Sequence, residues 1–518
     1  MKRIGILAVA LGLVVILFWV VHPTWLSRGE RRSLEVTEGR EDKKRGDLSK
    51  VHSAQLNPAK GEKVKGTPED MDTGAGRAIP GEKILRFKDR EAYRRFLAAA
   101  PAEAILGRID SLLALRVQTG NWLQSFPANE FGSVGKNYYV EAPKVPLEVL
   151  TAGDAQYRAV GAKALDMMGA SAVTADWGKG VKVALLDTEI QNADGLQGAE
   201  AGHGTAMLSL LTGSSGPVQG AGPGASILSF PVLGGDGVGN SFSLAQAILQ
   251  AVDQGARVIN MSLGSDGDSS VVRDAVVYAL SKSVVLVAAA GNEAVNRVSY
   301  PAAYEGVLSV GSVDADRQHL YFSNRGPSVG VVAPGYAVVA DWPGEKMVEV
   351  SGTSASTALV SGVVAALLSK EPGLTGTQAV ELLKKYADDT GPVGRDDETG
   401  YGVVNLQRVL ERNQRGIVDL AVAGVQFDPT GKLTVAVQNR GTETVNSPML
   451  EIAAGGNSRK FYLGSLAPGQ SLAETVQFDG VRVKQDGGIA GTASVQAPRG
   501  SDQRSGNDLW SSYFKISK

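Results

Sequence analysis

At 518 residues the chain is long enough for about three domains. Its 52 basic and 54 acidic residues leave a net charge of −2, which gives no hint of a nucleic-acid partner, and 43% hydrophobic with 20% charged residues is ordinary for a globular protein. The absence of cysteine excludes disulfides, thiolate metal sites and a cysteine nucleophile, so imidazole chemistry falls to His22, His52, His203 or His319.

Met1-Lys2-Arg3 precedes an unbroken apolar run over residues 4–21, a length between a long signal-peptide core and a spanning helix. No small-residue cleavage site follows, and Trp19 and Trp25 suit an interface, so residues 1–27 read as an uncleaved signal anchor in preference to a cleaved signal peptide. On that reading the protein is tethered to a membrane with its bulk outside the cytoplasm, or secreted if the segment is cut. Residues 28–80 are polar, mixed in charge and poor in aromatic and branched side chains, as in a disordered linker. Folded character returns over residues 81–150: residues 83–87 predict a strand and 89–100 a helix with Asp89 near its start. This small α/β unit reads either as a propeptide-like domain or as a structural extension.

From 151 to 415, short apolar runs at residues 181–186, 256–260, 284–289, 307–310 and 329–333 alternate with helical stretches at 243–254 and 270–282. That pattern predicts a mostly parallel sheet with helices on both faces, whose site residues belong at the carboxyl ends of its strands. From 416 to 518 the helical period stops. Alternation at residues 432–438 and turn-like Asn439-Arg440-Gly441, Ala467-Pro468-Gly469 and Gly487-Gly488 predict an all-β sandwich. Asp419-Leu420-Ala421-Val422, Gln438-Asn439-Arg440-Gly441 and residues 463–469 resemble the bacterial adhesion-related β-sandwich modules appended to many extracellular enzymes.

The chain is organised around Ser351-Gly352-Thr353-Ser354, which feeds a small and apolar run ending before Pro372. Such a run suits a helix buried on every side, with Ser354 in its first turn, where free N–H groups favour negative charge. Ser354 alone reads equally as a helix cap. Asp187 ends an apolar run, as many structural aspartates do. His203 lies in Gly202-His203-Gly204-Thr205, and Asn292 follows Ala289-Ala290-Gly291; each has a plain structural reading as well.

Together the four are specific. The order Asp187, His203, Ser354 is that of the subtilisin arrangement. With Ala184-Leu185-Leu186-Asp187-Thr188, Gly202-His203-Gly204-Thr205, Asn260-Met261-Ser262-Leu263-Gly264, Ala290-Gly291-Asn292 and Ser351-Gly352-Thr353-Ser354, about half the chain resembles the subtilisin-like serine proteases. The resemblance implies peptide-bond hydrolysis through an acyl-enzyme. Ser354 would attack, His203 would carry the proton, Asp187 would orient the imidazole, and Asn292 with the Ser354 N–H would hold the oxyanion. It implies a substrate laid as an added strand against Met261, Ser262, Leu263 and Gly264 and against the glycines around Gly235. Gly264 and the small residues through Gly291 would line an uncharged pocket suited to apolar side chains. No cofactor is required and no metal site is expected; relatives carry structural calcium, but no compact ligand loop places one here.

The sequence departs from the family where Glu189 follows Thr188, where Ala206 replaces a frequent histidine, and where residues 355–359 lack the usual methionine, proline and histidine. Gly326-Pro327-Ser328-Val329-Gly330 matches the G-x-S-x-G elbow, but no histidine follows it in the chain, so that reading fails. The competing function is a degenerate protease scaffold that binds peptides or surfaces.

Overall fold

The computed structural model describes residues 76–146, 157–190, 198–214, 218–427, 432–477, 488–498 and 501–515. The expected anchor, most of the expected linker and the expected turn at Gly487 lie outside them.

The first unit is a four-stranded antiparallel sheet carrying one helix. β1 (Glu82–Phe87), β2 (Ile105–Ile109), β3 (Ala114–Gln118) and β4 (Phe131–Gly135) lie in the order β2-β3-β1-β4. Helix α1 (Arg90–Ala99) starts where expected, because Asp89 Oδ1 accepts the Ala92 N–H at 2.7 Å and satisfies a free first-turn donor. Its Tyr93 and Phe96 pack on Leu85, Phe87, Leu115 and Val117 to make a small core. Strand β5 (Tyr139–Glu141) then leaves this unit.

The central sheet is parallel, with the order β12-β11-β10-β9-β6-β7. Its strands are β6 (Lys182–Asp187), β7 (Ser226–Pro231), β9 (Val258–Met261), β10 (Val285–Ala289), β11 (Leu308–Val313) and β12 (Val331–Pro334). Every residue of β9 to β12 is buried, as an apolar run covered on both faces requires. Helices α2 (His203–Thr212) and α5 (Thr353–Lys370) pack on one face, and α3 (Ser241–Asp253) and α4 (Ser270–Ser281) on the other. Helix α5 is the long apolar helix expected around Ser354, and all its residues from Thr353 to Leu368 are buried. The chain leaves β6 for β7 on one side and later builds β9 to β12 on the other. The sheet's topological switch therefore lies between β6 and β9, and the crevice at their carboxyl ends is the expected site. A short strand β8 (Val238–Asn240) pairs with β5, and β13 (Val338–Trp342) with β14 (Lys346–Val350) form a hairpin.

Beyond helices α6 (Gly376–Lys385) and α7 (Leu406–Glu411) the chain is all-β. β15 (Leu420–Phe427), β16 (Lys432–Asn439) and β19 (Ser471–Gln477) form one antiparallel sheet. β17 (Met449–Ala454), β18 (Asn457–Tyr462), β20 (Gly488–Gln496) and β21 (Leu509–Lys515) form a second. The two share a core that includes Leu420, Val435, Val437, Leu450, Ile452 and Val495.

This region is locked to the α/β unit by buried charge. Asp388, 1% exposed, meets Arg317 at 3.0 Å, Arg408 at 3.2 Å and Arg440 at 3.4 Å, and accepts from Asn405 Nδ2 at 3.1 Å. Arg440 comes from the all-β region. Its neighbour Gln438 accepts the Asp389 N–H at 3.0 Å through Oε1. Burial pushes the Asp388 carboxyl up, but Arg440, Arg317 and Arg408 outweigh it and hold the group far below its usual range. Burial likewise pulls the Arg440 guanidinium down to about 10, against the attraction of Asp388. A carboxylate so placed contributes stability above its ordinary pKa of 3.8 and loses it as pH falls below that value. Asp388→Ala strands three arginines and should cost about 3–5 kcal/mol at pH 7, read as a lowered urea midpoint of the full chain. A loss below about 1 kcal/mol would contradict the lock.

Candidate active site

Asp187 is the last residue of β6 and is fully buried. Its Oδ1 accepts the Thr188 N–H at 2.7 Å and lies 2.6 Å from His203 Nδ1. A carboxylate can only accept, so the imidazole proton sits on Nδ1 and Nε2 is left as the basic nitrogen. The position of His203 is set twice over. Its N–H donates to Glu200 O at 2.9 Å, and the next residue's N–H, on Gly204, donates to Thr188 Oγ1 at 2.9 Å. Gly202 must be glycine, since a Cβ there would lie 2.3 Å from the Trp342 ring. Burial pulls the His203 pKa down, but the charge and hydrogen bond of Asp187, with Glu200, outweigh it and hold the imidazole above its ordinary 6.5.

Ser354 is the second residue of α5, whose cap is Gly352 at φ +125. The cap reading of Ser354 is therefore excluded. Ser354 is 4% exposed, and among the described residues its hydroxyl donates to Ser262 O at 3.3 Å and is not bonded to His203. Asn292 follows β10, and its Oδ1 accepts from Thr353 N at 3.0 Å and Thr353 Oγ1 at 2.9 Å. With Oδ1 committed, Nδ2 faces the crevice, where it donates to Pro143 O at 2.8 Å. A Cβ on Gly352 would sit 2.7 Å from this nitrogen. Packing of α2 on α5 joins the two halves of the site.

The crevice is filled by the chain itself. Glu141 and Gly264 exchange two antiparallel backbone bonds of 2.8 Å, Ala142 N donates to Gly237 O at 2.9 Å, and β5 pairs with β8. An extended segment thus lies between residues 262–264 and 237–240 as an added strand. Gly264 meets it through backbone atoms and Ser262 meets Ser354 through both its carbonyl and its hydroxyl, whereas Met261 and Leu263 are core side chains with no exposure. Of the expected glycine-rich residues 234–237, Gly237 touches the segment, while the Gly235 carbonyl accepts the Glu200 N–H at 3.0 Å and holds the loop before His203. Gly291, at φ +106, leaves no room for a Cβ beside Asn324 and Glu293 and so sets the turn into Asn292.

Of the small residues expected to line the pocket, Gly264 borders a cavity, whereas Ala288, Ala289 and Ala290 are fully buried. A cavity of ≈ 380 Å³ beside Pro143 is lined by Gly264, Asn292 and Ser299, but also by Asp266 and Glu293. Burial pushes the Glu293 carboxyl up, while Asn324 Nδ2, donating at 2.6 Å, opposes it. These carboxylates are turn residues just past recognisable motifs, and nothing in the linear pattern places them beside the cavity. Thr353 and Thr188 were equally hidden, although both lie inside the motifs.

A model of the subtilase family matches residues 178–402. The chain is 36% identical over 247 residues to Subtilisin BL of Lederbergia lenta, covering 44% of this chain and 90% of that protein. It is 36% identical to M-protease of Shouchella clausii (strain KSM-K16), spanning 64% of that protein's length. Among solved structures, a serine-to-alanine mutant of the protease domain of PatA aligns over 44% of this chain and 94% of its own, at 29% identity and a TM-score of 0.41.

The Asp187–His203 bond has a readout independent of any reaction. The His203 imidazole should titrate above 6.5 by NMR, and in Asp187→Asn, where burial acts without the countercharge, below it. Equal midpoints would remove the electrostatic coupling.

Proposed function

The chain belongs to the subtilase family, and on that premise we propose that it is a serine endopeptidase working through Asp187, His203 and Ser354. The observation that carries this reading is the buried Asp187–His203 bond of 2.6 Å beside a helix whose first turn presents Ser354. In the reaction Ser354 Oγ attacks a peptide carbonyl while His203 Nε2 takes its proton. The proton then passes to the leaving amine, and water repeats the steps on the acyl-enzyme. Asp187 holds the tautomer and stabilises the imidazolium. The developing oxyanion is held by Asn292 Nδ2 and the unpaired first-turn N–H of Ser354. This chemistry needs no cofactor.

The expected unit over residues 81–150 acts, on this reading, as a propeptide-like domain that keeps the enzyme latent. The support is the placement of β5 in the crevice and the unit's docking on the starts of α3 and α4. Asn137 Oδ1 accepts from Ser241 Oγ at 2.9 Å and Phe242 N at 3.1 Å, and Arg86 pairs with Asp274. The N-terminal apolar run serves as a signal anchor, placing the catalytic unit outside the cytoplasm where polypeptides are its substrates. The two sheets of the last hundred or so residues form a sandwich module related to bacterial adhesion domains, supported by their shared core.

A fluorophosphonate should label the active form and leave Ser354→Ala unlabelled. Asn292→Ala should lower casein hydrolysis on the order of 10²–10³-fold, the loss that removing this kind of donor causes in a subtilisin. Equal labelling of wild type and Ser354→Ala rejects the nucleophile. An unlabelled but peptide-binding wild type would favour the degenerate scaffold.

A further inference from the structure

The segment in the crevice carries a proline whose carbonyl accepts from Asn292 Nδ2, the side-chain donor proposed for the oxyanion. Glu141 and Gly264 form a doubly hydrogen-bonded antiparallel pair, and in such a ladder these pairs recur every second residue. Carried two residues further, that register would set 143 opposite 262, although the bridge at Glu141 and Gly264 is an isolated one. An ordinary residue at 143 would donate its N–H to Ser262 O, but Pro143 has none to give. Ser262 O is instead the acceptor of the Ser354 hydroxyl, at 3.3 Å. Meanwhile the Pro143 carbonyl does sit on Asn292 Nδ2, at 2.8 Å, and the bond that follows it joins Pro143 to Lys144.

We propose that Pro143 is a built-in brake on self-cleavage: lacking an N–H, it leaves Ser262 O to hold the Ser354 hydroxyl away from His203, so the Pro143–Lys144 bond is presented but cut slowly. The inference rests on the serine-protease reading above. Cutting this bond requires Ser354 Oγ to bond to the Pro143 carbonyl carbon as its proton moves to His203 Nε2. That proton then goes to the Lys144 nitrogen as the C–N bond breaks, and water releases the acyl group from Ser354. A hydroxyl proton directed at a backbone carbonyl cannot start that sequence. The strand also loses one ladder bond at the point where the reacting carbon must be held still. Extended backbone, filled oxyanion donor and misdirected hydroxyl together describe an inhibitor that the enzyme carries within its own chain.

The test follows self-cleavage of the purified full chain by intact mass and N-terminal sequencing in wild type, Pro143→Ala, Pro143→Ser and Pro146→Ala. Both substitutions at 143 restore an N–H and should speed appearance of a product beginning at Lys144 by roughly ten-fold or more, the worth of one hydrogen bond made in the reacting complex. Pro146→Ala loosens the same segment, which lines the same cavity, without touching the Ser262 position, and should cleave at the wild-type rate. Two variants at 143 guard against one that fails to fold. Wild-type rates in both, or equal acceleration by Pro146→Ala, overturn the brake. If neither wild type nor the position-143 variants take a fluorophosphonate label or cleave any peptide, the protease reading itself falls. Normal labelling with unchanged self-cleavage sinks the brake alone.

Discussion

A charged carboxylate with no solvent exposure sits at the end of β6, and the site is arranged around keeping it there. An isolated buried charge costs several kcal/mol, so Asp187 persists only because a backbone N–H and an imidazole N–H meet one of its oxygens. Those two bonds fix the rotamer of Asp187 and the tautomer of His203. Oδ2 stays buried without a hydrogen-bond partner, a cost met by the rest of the fold. The loop before His203 is tied to Gly235 and Thr188 for the same reason: a drifting ring would leave the carboxylate unpaired.

The second half of the site depends on the start of a helix rather than on charge. Helix α5 is apolar on every side, so it is stable only inside the protein, and its burial brings its first turn beneath the crevice. A glycine cap lets Asn292 approach closely, and Thr353 takes up the carbonyl end of that side chain so that its amide points outward. The orientation of the Asn292 amide is thereby decided by Thr353.

The same economy of contacts ties distant regions to the central sheet. The four-stranded unit reaches the crevice through β5 and the start of α3 through Asn137. The all-β region reaches the far side through Arg440 and Gln438, which meet the loop after α6 at Asp388 and Asp389. Both attachments are polar and buried, which makes them specific in geometry and intolerant of losing one partner.

Much of this was legible in the linear order of residues. Five apolar runs became strands of the parallel sheet, Asp89 began its helix, and Asp187, His203, Asn292 and Ser354 each lie in the elements their motifs implied. Periodicity and local turn chemistry determine such features, because burial on one or two faces leaves a pattern every few residues. Two things did not leave one: the carboxylates of Asp266 and Glu293 beside the cavity, and the hydroxyl of Ser354 turned to Ser262. Each depends on segments far apart in the chain being brought within hydrogen-bonding or packing distance. Local sequence states which groups are available, and only tertiary packing decides which of them meet.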